Sequence, residues 1–318
     1  MRWADNVLIT TKELAEQGMR PHEIRAQVAA GKLVQVRRSV YRVPEPEGAG
    51  DPAVEPDGRS ANELEHLQLI EATLGRLRPG ACLSHQSAAL THELPIPDKL
   101  LGPVHVTRPG SGGKVGSSLH LHRSSVPAEH VVDTARGPVT SLAWTVVDLA
   151  RTLPPIHAVA AIDKALARGL DRAEAMELLD RQPVRGNVSA RAVLRFADGR
   201  SESVGESHSR WLMHELGLPA PQLQVKLFTE DGEYVARPDF LWEDCRVVGE
   251  FDGMIKYGRL LKPGQDISEV ILAEKRREEA IRRLGYWVIR WVWRDLDDRD
   301  AFRKLITRGR QLGARAGA

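Results

Sequence analysis

The residues best placed to do chemistry are three carboxylates set in apolar, β-forming sequence. Asp239 lies in Arg237-Pro-Asp-Phe-Leu-Trp242, and Glu250 and Asp252 lie in Val247-Val-Gly-Glu-Phe-Asp-Gly253. Glu243-Asp-Cys-Arg246 between the two runs predicts a hairpin of adjacent strands. Side chains alternate along a strand, so Val248, Glu250 and Asp252 share one face and Val247, Gly249 and Phe251 the other. Carboxylates inside apolar strands are costly unless a cation or hydrogen-bond donors answer them. An acid on one strand and Glu-x-acid on the next suits a hard divalent cation, so Asp239, Glu250 and Asp252 are candidate ligands for Mg²⁺ or Mn²⁺. Such a cation acts as a Lewis acid toward a phosphodiester and lowers the pKa of bound water.

These residues resemble the core of the PD-(D/E)XK nuclease superfamily, in its branch similar to the very-short-patch-repair endonuclease. The resemblance covers about residues 203–296 and takes in Ser203-Val-Gly-Glu206, Glu274-Lys-Arg-Arg-Glu278 and Val288-Ile-Arg-Trp291. It implies a restriction-endonuclease-like α/β sandwich, Mg²⁺-dependent hydrolysis of DNA, and catalytic roles for Glu206, Asp239, Glu250 and Asp252. The family's motif carries a lysine two residues beyond the acid, where this chain has Asp252. An Asp-Gly pair can stand there in the very-short-patch-like branch, which leaves the lysine's role open. Lys256 is the first candidate for orienting the water and Lys275 the second. Structural readings stand beside these: Ser203 and Glu206 fit a capping box, and Asp252-Gly253 fits a strand-ending turn.

An α-β-β-β-α-β order must position the acids. A helix from Ser203 buries Trp211, Leu212 and Leu216. Strands are expected at 222–228, 234–242 and 247–252, then a helix over 267–284 with Val270, Ala273, Ile281 and Leu284 as its buried stripe. Arg277 falls inside that stripe as a misfit. In the strand over 286–293, Trp287, Ile289, Trp291 and Trp293 line one side as core. Asp295-Leu-Asp-Asp298 caps a basic terminal helix.

At the other end, Thr10 and Gly18 frame a short helix, and Pro21 opens a second that ends at Gly31. Ile24 and Val28 form its buried face, with His22 and Arg25 to one side. This is a helix-turn-helix pattern. Leu33-Val-Gln-Val36, Arg37-Arg-Ser39 and Val40-Tyr-Arg-Val43 follow as a basic hairpin, completing a candidate winged helix whose second helix enters a groove while the hairpin touches phosphates. Arg20, His22, Arg25, Arg37, Arg38 and Arg42 are its candidate DNA contacts. Gly31-Lys-Leu33 with Arg37-Arg-Ser-Val-Tyr41 resembles the N-terminal domain of AbiEi-type antitoxins, with Ser39 where a turn glycine is expected. The alternative is a protein-docking module.

Between the two, residues 44–59 form a Pro/Gly/acid linker, and 60–200 an α/β middle domain. Leu83-Ser-His-Gln-Ser-Ala-Ala89 and Thr140-Ser-Leu-Ala-Trp-Thr-Val-Val-Asp148 resemble the middle of AbiEi-like proteins. His105, His120 and His122 read as ordinary histidines on half-exposed strands, with no Cys or acid at ligand spacing. The domain expectation is therefore 1–43, the linker, 60–200 and 201–318, an α+β multidomain chain.

The chain has 318 residues, 42% hydrophobic and 28% charged, the balance of a globular protein. Its net charge is only +2, but residues 1–43 carry 8 Lys/Arg against 4 Asp/Glu, so positive charge concentrates at the end expected to meet DNA. Cys82 and Cys245 offer no zinc spacing or disulfide framework, and there is no apolar h-region or membrane-length apolar run, so a cytoplasmic location is the simple reading. Two functions follow: a Mg²⁺-dependent DNA endonuclease in phage defence or repair, or a non-catalytic antitoxin and autorepressor that uses the nuclease-like fold as a platform. The implied partners are DNA and a cognate toxin protein.

Overall fold

The computed structural model describes residues 8–37, 39–44, 59–74, 77–110, 113–116, 118–182, 184–253 and 267–316. It is a mixed α/β, multidomain chain that divides into two units, Met1–Thr152 with Ala173–Arg185, and Leu153–Arg172 with Gly186–Ala318. Among the described residues, no helix is long and apolar enough to cross a membrane.

The first unit opens with β1 (Ile9–Thr10), α1 (Thr11–Glu16), α2 (Pro21–Ala29), β2 (Val34–Arg37) and β3 (Val40–Arg42). Thr10 and Glu13 form a capping box, each side chain meeting the other's backbone N–H. The strands pair antiparallel in the order β1-β3-β2. Ile9, Leu14, Ile24 and Leu33 make the small core beneath them. Ser39 takes φ +68°, the left-handed geometry of the glycine expected at this turn.

Next come α3 (Ala61–Leu74), β4 (Cys82–Leu83), α4 (His85–Thr91), β5 (Val104–Arg108), β6 (Lys114–Val115), β7 (Leu119–Arg123), β8 (Val131–Thr134), β9 (Gly137–Thr140) and α5 (Leu142–Thr152). The six strands form one sheet, β6-β7-β5-β4-β9-β8. β5 and β7 run parallel, with His105 beside His120 and Thr107 beside His122. The three histidines expected on half-exposed strands therefore share one sheet face, and His105 is buried there.

The second unit takes in α6 (Pro155–Ala167), while α7 (Arg172–Arg181) belongs, but for its first residue, to the first unit. Then follow α8 (Asn187–Phe196), α9 (Val204–Glu215), β10 (Gln222–Leu223), β11 (Leu227–Phe228), β12 (Tyr234–Ala236), β13 (Phe240–Trp242), β14 (Val247–Phe251), α10 (Ile267–Arg283), β15 (Trp287–Trp291), α11 (Trp293–Asp297) and α12 (Arg299–Ala316). α6 is tied to α9 by a buried ion pair, Asp163 Oδ2 to Arg210 Nη1 at 2.8 Å. Ser207 Oγ (2.7 Å) and the Asp198 N–H (2.6 Å) also donate to the Asp163 carboxylate. α6, which the sequence reading groups with the middle segment, thus makes a buried contact with α9 of the C-terminal part.

The sheet of this unit runs β10-β13-β14-β15, antiparallel except for the parallel pair β14/β15. One face packs Phe240, Trp242, Val247, Ile289 and Trp291 against Leu212 and Met213 of α9 and Phe302 and Ile306 of α12. The other packs Leu241 and Val248 against Ile281 of α10. A Cβ on Gly249 would lie 2.7 Å from the Trp291 ring, so only glycine lets that buried indole close over the central strand. The strand expected over 234–242 is broken at 237–239: Pro238 has no N–H for a ladder, and Asp239 turns its side chain to the backbone of β14. Ala273 is exposed rather than in the α10 stripe, and Trp287 and Trp293 are 37% and 38% exposed rather than core, since Trp287 opens β15 and Trp293 opens α11, on either side of the buried pair Ile289 and Trp291.

Candidate functional site

In the second unit, Glu206, Asp239 and Glu250 come from three elements: the first turn of α9, the break before β13, and β14. Ser203 Oγ accepts from the Glu206 N–H at 3.1 Å and fixes that turn. The capping box is only half made. Glu206 Oε2 accepts instead from the Glu202 N–H at 2.9 Å and from Gln224 Nε2 at 3.1 Å. Gln224 Nε2 also donates to Asp239 Oδ1 at 3.3 Å, bridging the two acids. Asp239 Oδ2 accepts from the Phe251 N–H at 2.9 Å, which clamps it to the strand carrying Glu250. Burial, with the negative charges of Glu206 and Glu250, pushes the Asp239 carboxyl up to about 6, against the Phe251 bond.

Glu250 is 8% exposed and meets positive charge. The β14/β15 register sets it beside Arg290, whose Nη2 is 3.1 Å from Oε2. Arg277 Nη1, from α10, is 2.7 Å from Oε1 but off a hydrogen-bonding direction, so among the described residues Oε1 has no hydrogen-bond donor. Arg290 also binds Glu274 and lies 3.3 Å from Glu278, and Arg277 lies 3.3 Å from Glu274. Burial works against the Arg290 cation, yet the Glu274 bond and the charge of Glu250 hold its pKa above the ordinary value. The Arg277 misfit in the apolar stripe is thus explained: it reaches a buried carboxylate.

Asp252 lies one residue past β14, half-buried, with its N–H donating to the Trp291 carbonyl at 2.9 Å. Lys256 lies outside the described residues, and Lys275 is exposed on α10. Gln224, Arg277 and Arg290 were not singled out as site residues from sequence. An arginine in an apolar stripe and another within an aromatic strand were the available signals. Gln224 gave none.

In the first unit, Arg20 precedes α2, and it, His22 and Arg25 are exposed. The Arg20 N–H donates to Glu23 Oε2 at 2.6 Å and Arg25 Nε to the Pro21 carbonyl at 3.3 Å, which order the start of the helix. Arg42 is only half-exposed, and among the described residues its shielded Nε has no hydrogen-bond partner. Arg37 ends β2; its side chain and Arg38 lie outside the described residues.

The acid pair makes a pH-dependent prediction. An acid near 3.8 unfolded and about 6 folded binds its proton more tightly when folded, so its destabilising effect is full above the folded value and fades as pH falls. In metal-free urea unfolding, Asp239→Asn should stabilise the protein at about pH 8, with the gain gone by about pH 4. A gain independent of pH would show that Asp239 charge is not what strains the site.

Residues 1–44 match the family described as "Transcriptional regulator, AbiEi antitoxin". Two curated relatives from Mycobacterium tuberculosis, the uncharacterized proteins MT2308 (strain CDC 1551 / Oshkosh) and Rv2248 (strain H37Rv), are each 28% identical over 276 residues, covering 82% of this chain and 93% of theirs. The crystal structure of the RV2827C protein from the same species aligns with a TM-score of 0.39 and 16% identity, over 70% of this chain and 84% of that one, a likeness too slight to carry an argument. The chain is therefore similar, at its N-terminus, to a family of transcriptional regulators.

Proposed function

We propose that the chain is a DNA-binding regulator of the AbiEi antitoxin type, with an N-terminal winged helix. The observation that carries this reading is the regulator-family match over residues 1–44, on a helix pair whose second helix exposes Arg20, His22 and Arg25 around its N-terminal turns. The N-terminal residues of a recognition helix are those that reach base edges in the major groove. The β2/β3 hairpin is then the wing that meets phosphates, Arg37 and Arg38 being the basic pair of its sequence. A toxin protein is the partner the antitoxin likeness implies. In this reading the C-terminal sheet is a binding platform, and Glu250, already charge-matched by Arg277 and Arg290, serves its stability.

Arg37→Ala with Arg38→Ala should weaken duplex binding across sequences and flatten its salt dependence by about one unit of slope per lost phosphate contact. Titrations at several salt concentrations provide the check. An unchanged slope with undiminished affinity would put the DNA contact elsewhere.

A second reading, a Mg²⁺-dependent nuclease with a restriction-endonuclease-like sandwich, is favoured by the convergence of Glu206 and Asp239 on Gln224 beside Glu250. Glu206 and Asp239 suit a hard cation, and Asp252 follows Glu250 at the strand end. Glu250 fits less well, because its charge is already met by two guanidinium groups. A bound Mg²⁺ supplies Lewis acidity and an activated water. Arg277, Lys256 or Lys275 would then stabilise phosphate charge. Under this reading, Mg²⁺ should raise the melting temperature of the wild type by mass action and leave Asp239→Ala unmoved. Equal shifts in both proteins would locate the cation away from Asp239.

A further inference from the structure

The six-stranded sheet of the first unit carries a separate cluster of imidazoles. His105 on β5 and His122 on β7 approach with Nδ1 and Nε2 2.8 Å apart. His85, at the start of α4, stacks on His122 with ring centroids 3.7 Å apart, and His120 stacks on His122 at 4.0 Å and lies tilted to His105 at 4.8 Å. Among the described residues, His85, His105 and His122 form a group of three ligand side chains whose ligand atoms all lie within 4.8 Å of one another. His85 and His105 are buried while His122 is half-buried, so the cluster is walled by protein but reachable from one side.

We propose that His85, His105 and His122 bind one zinc-class divalent transition-metal ion, with Asp148 as the carboxylate that orients His85.

Three imidazoles are the donor set of a borderline metal such as Zn²⁺, and a poor one for oxygen-seeking Mg²⁺ or Ca²⁺. With Zn–N near 2.0–2.1 Å, tetrahedral ligand nitrogens sit about 3.3 Å apart. The 2.8 Å pair is about half an ångström too close for this and the widest separation of 4.8 Å too long, so ring rotation must converge them. The stacked rings have to splay as they do so, because imidazole lone pairs lie in the ring plane. Three ligands leave a fourth position for water or a donor from a partner, the pattern of open zinc sites.

Two further features single out this cluster. Asp148, on α5, is buried; among the described residues its Oδ2 has no hydrogen-bond partner, and that oxygen lies 3.5 Å from His85 Nδ1. Ser84 Oγ lies 3.0 Å from the same nitrogen. Ser84 Oγ bonds Nδ1 and Asp148 Oδ2 stands just beyond bonding reach of it, so a small rotation of the ring would give the carboxylate–histidine–metal arrangement with Nε2 as the ligand atom. In addition, His85 has φ +50°, a left-handed conformation strained for a residue with a side chain and typical of functional positions. Thr107 Oγ1 donates to Ser84 Oγ at 2.7 Å, so the sheet itself supports the turn that presents His85.

The test uses the full chain, stripped with chelator and titrated with Co²⁺ and Zn²⁺. One equivalent should bind, Co²⁺ giving a visible ligand-field band that Zn²⁺ displaces. X-ray absorption at the zinc edge of the wild type should show a shell containing imidazoles. His105→Gln and His122→Gln should each abolish stoichiometric binding, and Asp148→Asn should weaken it about 10–100-fold. His214→Gln, on the other unit, should change nothing. No stoichiometric metal in the wild type would overturn the proposal and leave a self-contained, hydrogen-bonded histidine stack. So would an oxygen-only absorption shell, or binding undiminished in His105→Gln and His122→Gln. The absorption shell is read on the wild type and therefore decides the matter even where a variant misfolds. None of these outcomes depends on DNA binding or cleavage.

Discussion

Glu250 lies buried on the central strand of the second unit's sheet, and a carboxylate placed there calls for positive charge beside it. The match fixes two larger arrangements. Arg290 stands beside it only in the observed parallel register of β14 and β15. Arg277 reaches it only when α10 lies along the face of Val248 and Leu241. Removing one partner of a buried pair typically costs about 3–5 kcal/mol, because the remaining charge is stranded. Register, helix placement and charge therefore specify one another, while Trp291 closing over Gly249 seals the opposite face.

That arrangement divides the acids into two kinds. Glu250 shares Arg277 and Arg290 with Glu274 and Glu278, a network whose like charges are separated by guanidinium groups. Glu206 and Asp239 are joined by the neutral amide of Gln224, which binds both carboxylates without cancelling either charge. The first pattern is that of a structural ion-pair network. The second has no cationic partner among the described residues and is where a cation or a basic partner would gain most.

Much of the local structure was legible from residue type. Thr10, Ser60 and Ser203 each accept from the N–H three residues on, as Ser/Thr caps do. The hairpin between Trp242 and Val247 forms at the stretch 243–246, with Arg246 in left-handed geometry. Long-range pairing was not legible. Asp163 and Arg210 are 47 residues apart, yet their bond draws α6 to α9 and places it with the C-terminal part. Gln224 is an ordinary polar residue until a left-handed turn aims it at two acids. His85 and Asp148 were each noticed within a resembling segment, but nothing along the chain announces that β5, β7, α4 and α5 bring them to His105 and His122. Period-two reasoning put Trp287 and Trp293 in the core, because alternation assigns a face but does not say where the covering helix ends.

The most direct measurement is one binding and cleavage experiment on the wild-type chain with linear, nicked, mismatched and branched DNA, with and without Mg²⁺. A regulator with a charge-matched Glu250 binds duplex DNA in a salt-dependent way and leaves every substrate intact. Mg²⁺-dependent cutting that disappears in Glu250→Gln, while binding persists, would contradict the account and establish the C-terminal sheet as a nuclease.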